Sequence, residues 1–151
     1  MSLSFKLGKE TYTLADEALT KMRQAMDNTI TRERGFALLG DIKNLMPGKE
    51  RVGGKEGMWV DVAGTKGFFH THPDGNPKLS PNDWVHVLLA SGELLFPFLE
   101  CSGAHGEVYC TTVDDINKLT IPKHPTDDEL DELVQHLVKP YHFWVDSLRE
   151  R

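Results

Sequence analysis

The sequence predicts an α/β fold, and three features carry that expectation. Apolar runs of strand length alternate along the chain with stretches of helical periodicity, the pattern of a layered α/β domain. Three of the helical stretches open with an N-cap residue, at Thr13, Ser80 and Thr126. The 151 residues, 39% of them hydrophobic, are enough for one core and predict a single domain over 1–151 with no internal boundary.

Taken in order, Ser4–Leu7 reads as a short strand that ends in a Gly8-Lys9 turn. Thr13 reads as an N-cap, because Leu14, Ala18, Met22, Ala25 and Met26 then fall on one helical face. Thr31–Arg34 is polar, and Gly35–Ile42 is a compact apolar run that reads as a buried strand. Lys43–Gly57 contains Pro47, Gly48, Gly53 and Gly54 and reads as a loop or loose hairpin. Met58–Val62 and Gly67–His72 read as two strands, or as one strand bent at Gly64. Pro73–Leu79 is rich in turn formers. Ser80 then fits N-cap, Pro81 N1 and Asp83 N3 of a helix reaching about Ser91. Leu94–Ser102 and Glu107–Val113 predict a hairpin, and Asp114–Leu119 a helical turn. Thr126 and Glu129 form a capping-box pair. Pro140 begins or kinks a final helix whose Phe143, Trp144 and Leu148 pack on the domain.

Composition excludes several partners. The net charge is −6, and no Lys/Arg cluster dominates a segment, which argues against nucleic acid. The basic residues of Lys43–Lys55 are spread among glycines and mixed with Glu50. The N-terminus lacks an apolar signal-type segment, and no apolar run approaches the roughly 18 residues of a membrane span. The expectation is a cytoplasmic protein with no membrane partner. Cys101 and Cys110 flank the expected hairpin turn and would face each other across it. In a cytosolic protein, two buried thiols are the plainer expectation than a disulfide.

The chemistry concentrates at His70, His72, Ser80 and Asp83. On a strand, residues i and i+2 point to the same face, so His70 and His72 can reach one ion. Asp83, in the first turn of the next helix, can fold back over the strand end. Two imidazole nitrogens and one carboxylate oxygen at roughly 2.0–2.2 Å make a three-ligand zinc site with the fourth position open for water. That is the catalytic rather than the closed structural arrangement, and zinc brings the pKa of such a water down to about 7. Each part has a plainer reading. Ser80-x-x-Asp83 is also an ordinary capping box, and a lone His-x-His is commonly structural or exposed. The combination is more specific than any part.

His70-Thr71-His72-Pro73, six residues, then Ser80-Pro81-Asn82-Asp83 resembles the JAMM motif of the MPN/JAB (Mov34) metalloproteases in spacing and identity. Glu33-Arg34-Gly35-Phe36-Ala37-Leu38-Leu39-Gly40 resembles that family's upstream glutamate before an apolar strand. The resemblance runs roughly from Thr13 to Val113. It implies a cytidine-deaminase-like α/β fold with a mixed β-sheet flanked by helices. It also implies zinc on His70, His72 and Asp83, with Glu33 as general acid/base and Ser80 stabilising the oxyanion. Without the resemblance, a glutamate between Arg32 and Arg34 reads as a solvated surface pair. The His-Asn-His-Pro-Ser-Gly form of RadC-like proteins is absent. No segment matches the ubiquitin-gripping insertions of eukaryotic deubiquitinases. Lys43–Gly57 and Asp114–Pro125 are the places for a substrate-gripping segment. Residues 120–151 match nothing in the family and are expected to form a helical C-terminal appendage.

The function expected is a zinc-dependent hydrolase of a peptide or isopeptide bond. Its substrate would be a protein or peptide, including the tail of a ubiquitin-like or sulfur-carrier-like protein. The alternative is a non-catalytic MPN-type scaffold, which the complete set of Glu33, His70, His72, Ser80 and Asp83 disfavours. Action on a nucleotide is disfavoured by the acidic charge and by the lack of a Gly-rich phosphate loop. Among other residues, His86 lies one turn after Asp83. It reads as a partly buried helix histidine rather than as support for the metal site. Trp59, Trp84 and Trp144 read as packing residues, with Trp84 the one that could line the cleft. His124, His136 and His142 share no face at ligand spacing.

Overall fold

A parallel strand pair bridged by a helix organises the molecule. The computed structural model describes residues 1–28, 32–53 and 64–145. Strand β1 (Leu3–Leu7) turns into β2 (Glu10–Leu14), followed by helix α1 (Asp16–Asp27) and strand β3 (Glu33–Leu39). The short β4 (Met46–Pro47) and β5 (Arg51–Gly53) precede β6 (Thr65–Thr71), helix α2 (Pro81–Leu94) and the hairpin of β7 (Leu99–Ala104) and β8 (Glu107–Thr111). A 3₁₀ turn (Ile116–Lys118), helix α3 (Asp127–Leu133), a second 3₁₀ turn (Val134–His136) and β9 (Tyr141–Trp144) complete the chain as described.

β1 and β2 make an antiparallel ribbon, while the other strands form one mixed sheet in the order β4-β3-β6-β7-β8-β9, with β5 also on β3. Within that sheet β6 and β7 are the parallel pair, as the α2 crossover between them requires. The fold is therefore α/β, with a mixed sheet flanked by helices. Gly67 allows the close approach of β6 to β7, since a Cβ there would lie 2.5 Å from the Leu99 carbonyl oxygen.

The period-2 alternation of the strands sorts side chains between two cores. Phe36, Leu38 and Phe69 face α1, where Ala18, Met22 and Ala25 join them together with Phe5 and Tyr12 of the ribbon. Ala37 and Phe68 face the other way, onto Val87 and Ala90 of α2. His70 follows Phe68 by two residues and so lies on the α2 side. A third cluster, around Leu88, Val113 and Leu133, seats α3. The Thr126–Glu129 capping box is present as expected.

Four expectations need correcting or bounding. Thr13 is not an N-cap: it belongs to β2, and its hydroxyl meets Ser4 Oγ at 2.7 Å. Its backbone is bonded to Ile42 and Leu45, so the helix begins at Asp16 instead. The final helix expected from Pro140 is strand β9. Its aromatics alternate rather than following a helical stripe: Phe143 is buried, Trp144 is exposed, and Tyr141 stacks on Phe5 at 4.4 Å between ring centroids. Among the described residues, the segment from 120 on thus contains one short helix, a 3₁₀ turn and a strand at the edge of the main sheet, so it is not helical throughout. Cys101 and Cys110 are joined in a disulfide rather than being two thiols. They are direct partners in the β7–β8 register, with Cα atoms 4.1 Å apart, so the cysteines no longer argue for a reducing compartment. The strand expected at Met58–Val62, and Trp59 and Leu148, lie outside the described residues. Among the described residues no helix is long and apolar enough to cross a membrane.

Candidate metal centre

His70 sits in β6 and His72 one residue beyond its end. His72 still extends the ladder, since its N–H donates to the Gly103 carbonyl at 3.0 Å. The i, i+2 geometry therefore persists, and both rings emerge on the α2 side. A turn follows, closed by Gly75 N–H donating to the His72 carbonyl at 3.1 Å, with Gly75 at φ +84°. Asx-type bonds continue it: Asn76 N–H donates to Asp74 Oδ1 and Lys78 N–H to Asn76 Oδ1. Ser102, fully buried on β7, donates its hydroxyl to the Pro77 carbonyl at 2.7 Å and pins the loop to the sheet. The loop delivers Ser80 to the N-cap of α2, with Pro81 at the first helical position.

The three expected ligands converge. His70 Nε2 lies 3.0 Å from His72 Nε2 and 2.8 Å from Asp83 Oδ1. His72 Nε2 lies 3.2 Å from Asp83 Oδ2. In a tetrahedral site with metal bonds of 2.0–2.1 Å, ligand atoms stand about 3.3 Å apart. The observed separations need open by only a few tenths of an ångström to admit an ion. Among the described residues these three form the one group of metal-ligating side chains with that convergence.

The tautomer of His72 also fits. Its Nδ1 lies 2.8 Å from the Asn76 carbonyl oxygen, which only accepts. Nδ1 therefore carries the proton, and a neutral His72 presents a lone pair at Nε2. Two imidazoles and a carboxylate form a donor set that both zinc and ferrous iron accept.

The geometry of Asp83 is compatible with both readings that the sequence posed as alternatives. Its Oδ2 accepts the Ser80 N–H at 2.8 Å, and its own N–H donates to Ser80 Oγ at 3.3 Å, so the capping box is real. Oδ1 is left facing His70. Burial disfavours the charge of Asp83, but hydrogen bonds from His70 and His72 and the Ser80 N–H outweigh it and hold the carboxyl well below the usual carboxylate range. Burial likewise disfavours a charged His72. The Asp83 carboxylate, the Asn76 carbonyl and the charge of Glu33 outweigh that effect and raise its pKa.

Glu33 opens β3 and is half-buried. The β3–β6 register pairs Gly35 with His70, and carrying it on by two residues sets Glu33 opposite His72. Its neighbour Arg34 engages Glu50 and the Asn28 carbonyl, so the surface Arg-Glu pairing that the local sequence suggests gives way to strand alternation. Glu33, His72, Pro73, Asn76, Ser80 and Pro81 line an open cleft. Trp84 is not among its lining residues; Trp84 and Trp144 are both exposed, and Trp144 meets the His142 ring edge-on at 5.9 Å between centroids. The β4 and β5 segments stitch 46–53 to the outer edge of β3, beside Glu33.

Glu100 escaped the sequence reading. It lies on β7 with no exposed surface, its Oε1 3.7 Å from His70 Nδ1 and its Oε2 bonded to His86 Nδ1. Burial pushes its carboxyl up against the opposing pull of His86 and His70. His86, packed edge-on against Phe68 and Phe98, is thus a helix histidine whose partner is Glu100. The signal was available: a lone carboxylate interrupts the apolar run Phe96–Cys101. Compared with known proteins, the chain matches no protein-family model and no curated protein.

Proposed function

We propose that this chain is a zinc-dependent hydrolase of peptide or isopeptide bonds, with His70, His72 and Asp83 as metal ligands. The observation that carries the reading is the convergence of three ligand atoms beside a cleft that also holds Glu33 and Ser80. The resemblance of the same five residues to the JAMM motif supports it.

When bound, zinc supplies Lewis acidity toward a carbonyl oxygen and acidifies water. The chain's own groups do the remaining work. Glu33 takes a proton from the attacking water in the cleft and returns it to the leaving nitrogen as the C–N bond breaks. Ser80 Oγ accepts the Asp83 N–H, so its hydroxyl proton is available to the substrate carbonyl oxygen as that atom gains charge, a contribution on the order of 3 kcal/mol. The products are a carboxylate and an amine, and the same arithmetic serves a backbone or a lysine amine. An open cleft suits an extended protein tail, such as that of a ubiquitin-like or sulfur-carrier-like protein.

Metal analysis and substrate profiling test this. The purified protein reconstituted with zinc should hold about one ion per chain and cleave peptide or isopeptide-linked substrates. Stoichiometric zinc without cleavage of either class would favour the scaffold reading. No zinc uptake would remove the metal centre altogether.

A further inference from the structure

We propose that Glu100 is a positioning residue for the metal centre: it accepts a hydrogen bond from His70 Nδ1–H and so fixes that ring with its Nε2 lone pair toward the ion. The inference rests on the metal reading above and extends it to a residue outside the motif.

The geometry begins with an orphan. Glu100 is wholly buried, and a buried carboxylate normally has partners for both oxygens. Oε2 has one in His86 Nδ1. Among the described residues Oε1 has no hydrogen-bond partner, and it stands 3.7 Å from His70 Nδ1. A shift of under about 1 Å turns that gap into a charge-assisted bond. His70 Nε2 already faces Asp83 and His72. A neutral histidine that lends Nε2 to a metal must carry its proton on Nδ1, which is where Glu100 waits.

The elements that hold Glu100 explain why it can act there. β6 and β7 are parallel, with Phe68 opposite Glu100 and His70 opposite Ser102. Glu100 therefore lies one step down the strand from His70, on the same face of the sheet. α2 crosses above and brings His86 onto the other oxygen, which keeps the carboxylate from rotating away. An aliphatic side chain would fill the same space without the cost of burying a charge. The carboxylate supplies what an aliphatic group cannot, an anionic acceptor behind a metal ligand. The two histidines are thus oriented by different means, His72 by the Asn76 carbonyl and His70 by Glu100.

Zinc titration against a chromophoric chelator, with the full chain and its Glu100→Leu and Glu100→Gln variants, is the test. Glu100→Leu should weaken zinc affinity by roughly 10- to 100-fold, with Glu100→Gln in between. Glu100→Leu also removes the bond to His86 and should lower the metal-free melting temperature. The comparison that isolates positioning is therefore the near-isosteric Glu100→Gln, which a purely structural role would leave with parental zinc affinity. In ring ¹⁵N–¹H spectra of the zinc form, the His70 Nδ1 proton should shift upfield in both variants. Affinities within about two-fold of the parent, with an unmoved His70 resonance, would overturn the proposal while leaving the metal centre standing. A parent that takes up no zinc would overturn both. If Glu100→Leu does not fold, the near-isosteric Glu100→Gln carries the same comparison.

Discussion

Ser80 and Asp83 exchange hydrogen bonds, backbone to side chain in each direction, at 2.8 and 3.3 Å. That exchange caps α2 and at the same time aims Asp83 Oδ1 at His70. Helix capping and the proposed metal ligation would thus share one carboxylate, with Oδ2 holding the cap and Oδ1 turned to His70. Asp83→Asn separates them: the amide oxygen still accepts the Ser80 N–H, so the cap survives. Zinc content should fall from about one ion per chain to none, with the helix intact by circular dichroism. Ser80→Ala should lower the stability of the metal-free protein by about 1 kcal/mol in denaturant melts, the usual cost of an N-cap. Full zinc occupancy in Asp83→Asn would contradict the ligand assignment.

Glu33 stands opposite His72 by register and lies outside the converging ligand set. Glu33→Gln should therefore retain zinc while losing on the order of 10²–10⁴ in turnover of a cleavable substrate. Steady-state rates at matched metal content measure this. A variant as fast as the parent would strip Glu33 of its acid/base role.

The electrostatics of the metal-free centre have a definite sign with pH. The folded pKa of Asp83 is lowered, so its stabilising contribution is present above the unfolded value of about 3.9 and is lost as pH falls. The folded pKa of His72 is raised, so its contribution is present below about 6.5 and is lost as pH rises through the folded value. His86, where burial is outweighed by Glu100, adds in the same direction as His72. Metal-free protein should melt highest between about pH 4 and 6.5. Zinc must displace the proton of His72, so the stabilisation added by zinc should grow with pH. Scanning calorimetry with zinc and with chelator checks both trends. A zinc increment that shrinks toward alkaline pH would count against histidine ligation.

Tyr12 has no exposed surface, and its hydroxyl donates to the Pro97 carbonyl at 2.7 Å. Burial pushes its phenol up to about 12. The neutral form is the one the fold holds, so stability should decline as pH rises from about 10, by roughly 1.4 kcal/mol per unit until the folded value is reached. Tyr12→Phe should cost about 1 kcal/mol at neutral pH through the lost bond, and its alkaline decline should be shallower. Urea melts at neutral and alkaline pH measure both.

How much of this was legible in the sequence depends on the range of the forces involved. The i, i+2 placement of His70 and His72 is strand geometry, and the Ser80-x-x-Asp83 bonds are the local geometry of a helix start. Both follow from a few neighbouring residues, as does the Thr126–Glu129 cap, so the sequence by itself determined the candidate ligands and their spacing. It also determined the layered α/β class, through the alternation of apolar periods. What depends on distant partners was decided by the tertiary structure. Thr13 pairs across the ribbon with Ser4 and across the chain with Ile42 and Leu45, and that pairing makes a strand of residues whose spacing suits a helix. Tyr141–Trp144 becomes an edge strand because β8 offers it an unpaired backbone and Phe5 offers Tyr141 a ring. Cys101 meets Cys110 through the hairpin register. Glu33 comes opposite His72 only through the β3–β6 register, and Glu100 comes behind His70 only because β6 and β7 run parallel. The motif names the candidate ligands, but the sheet decides what stands behind them.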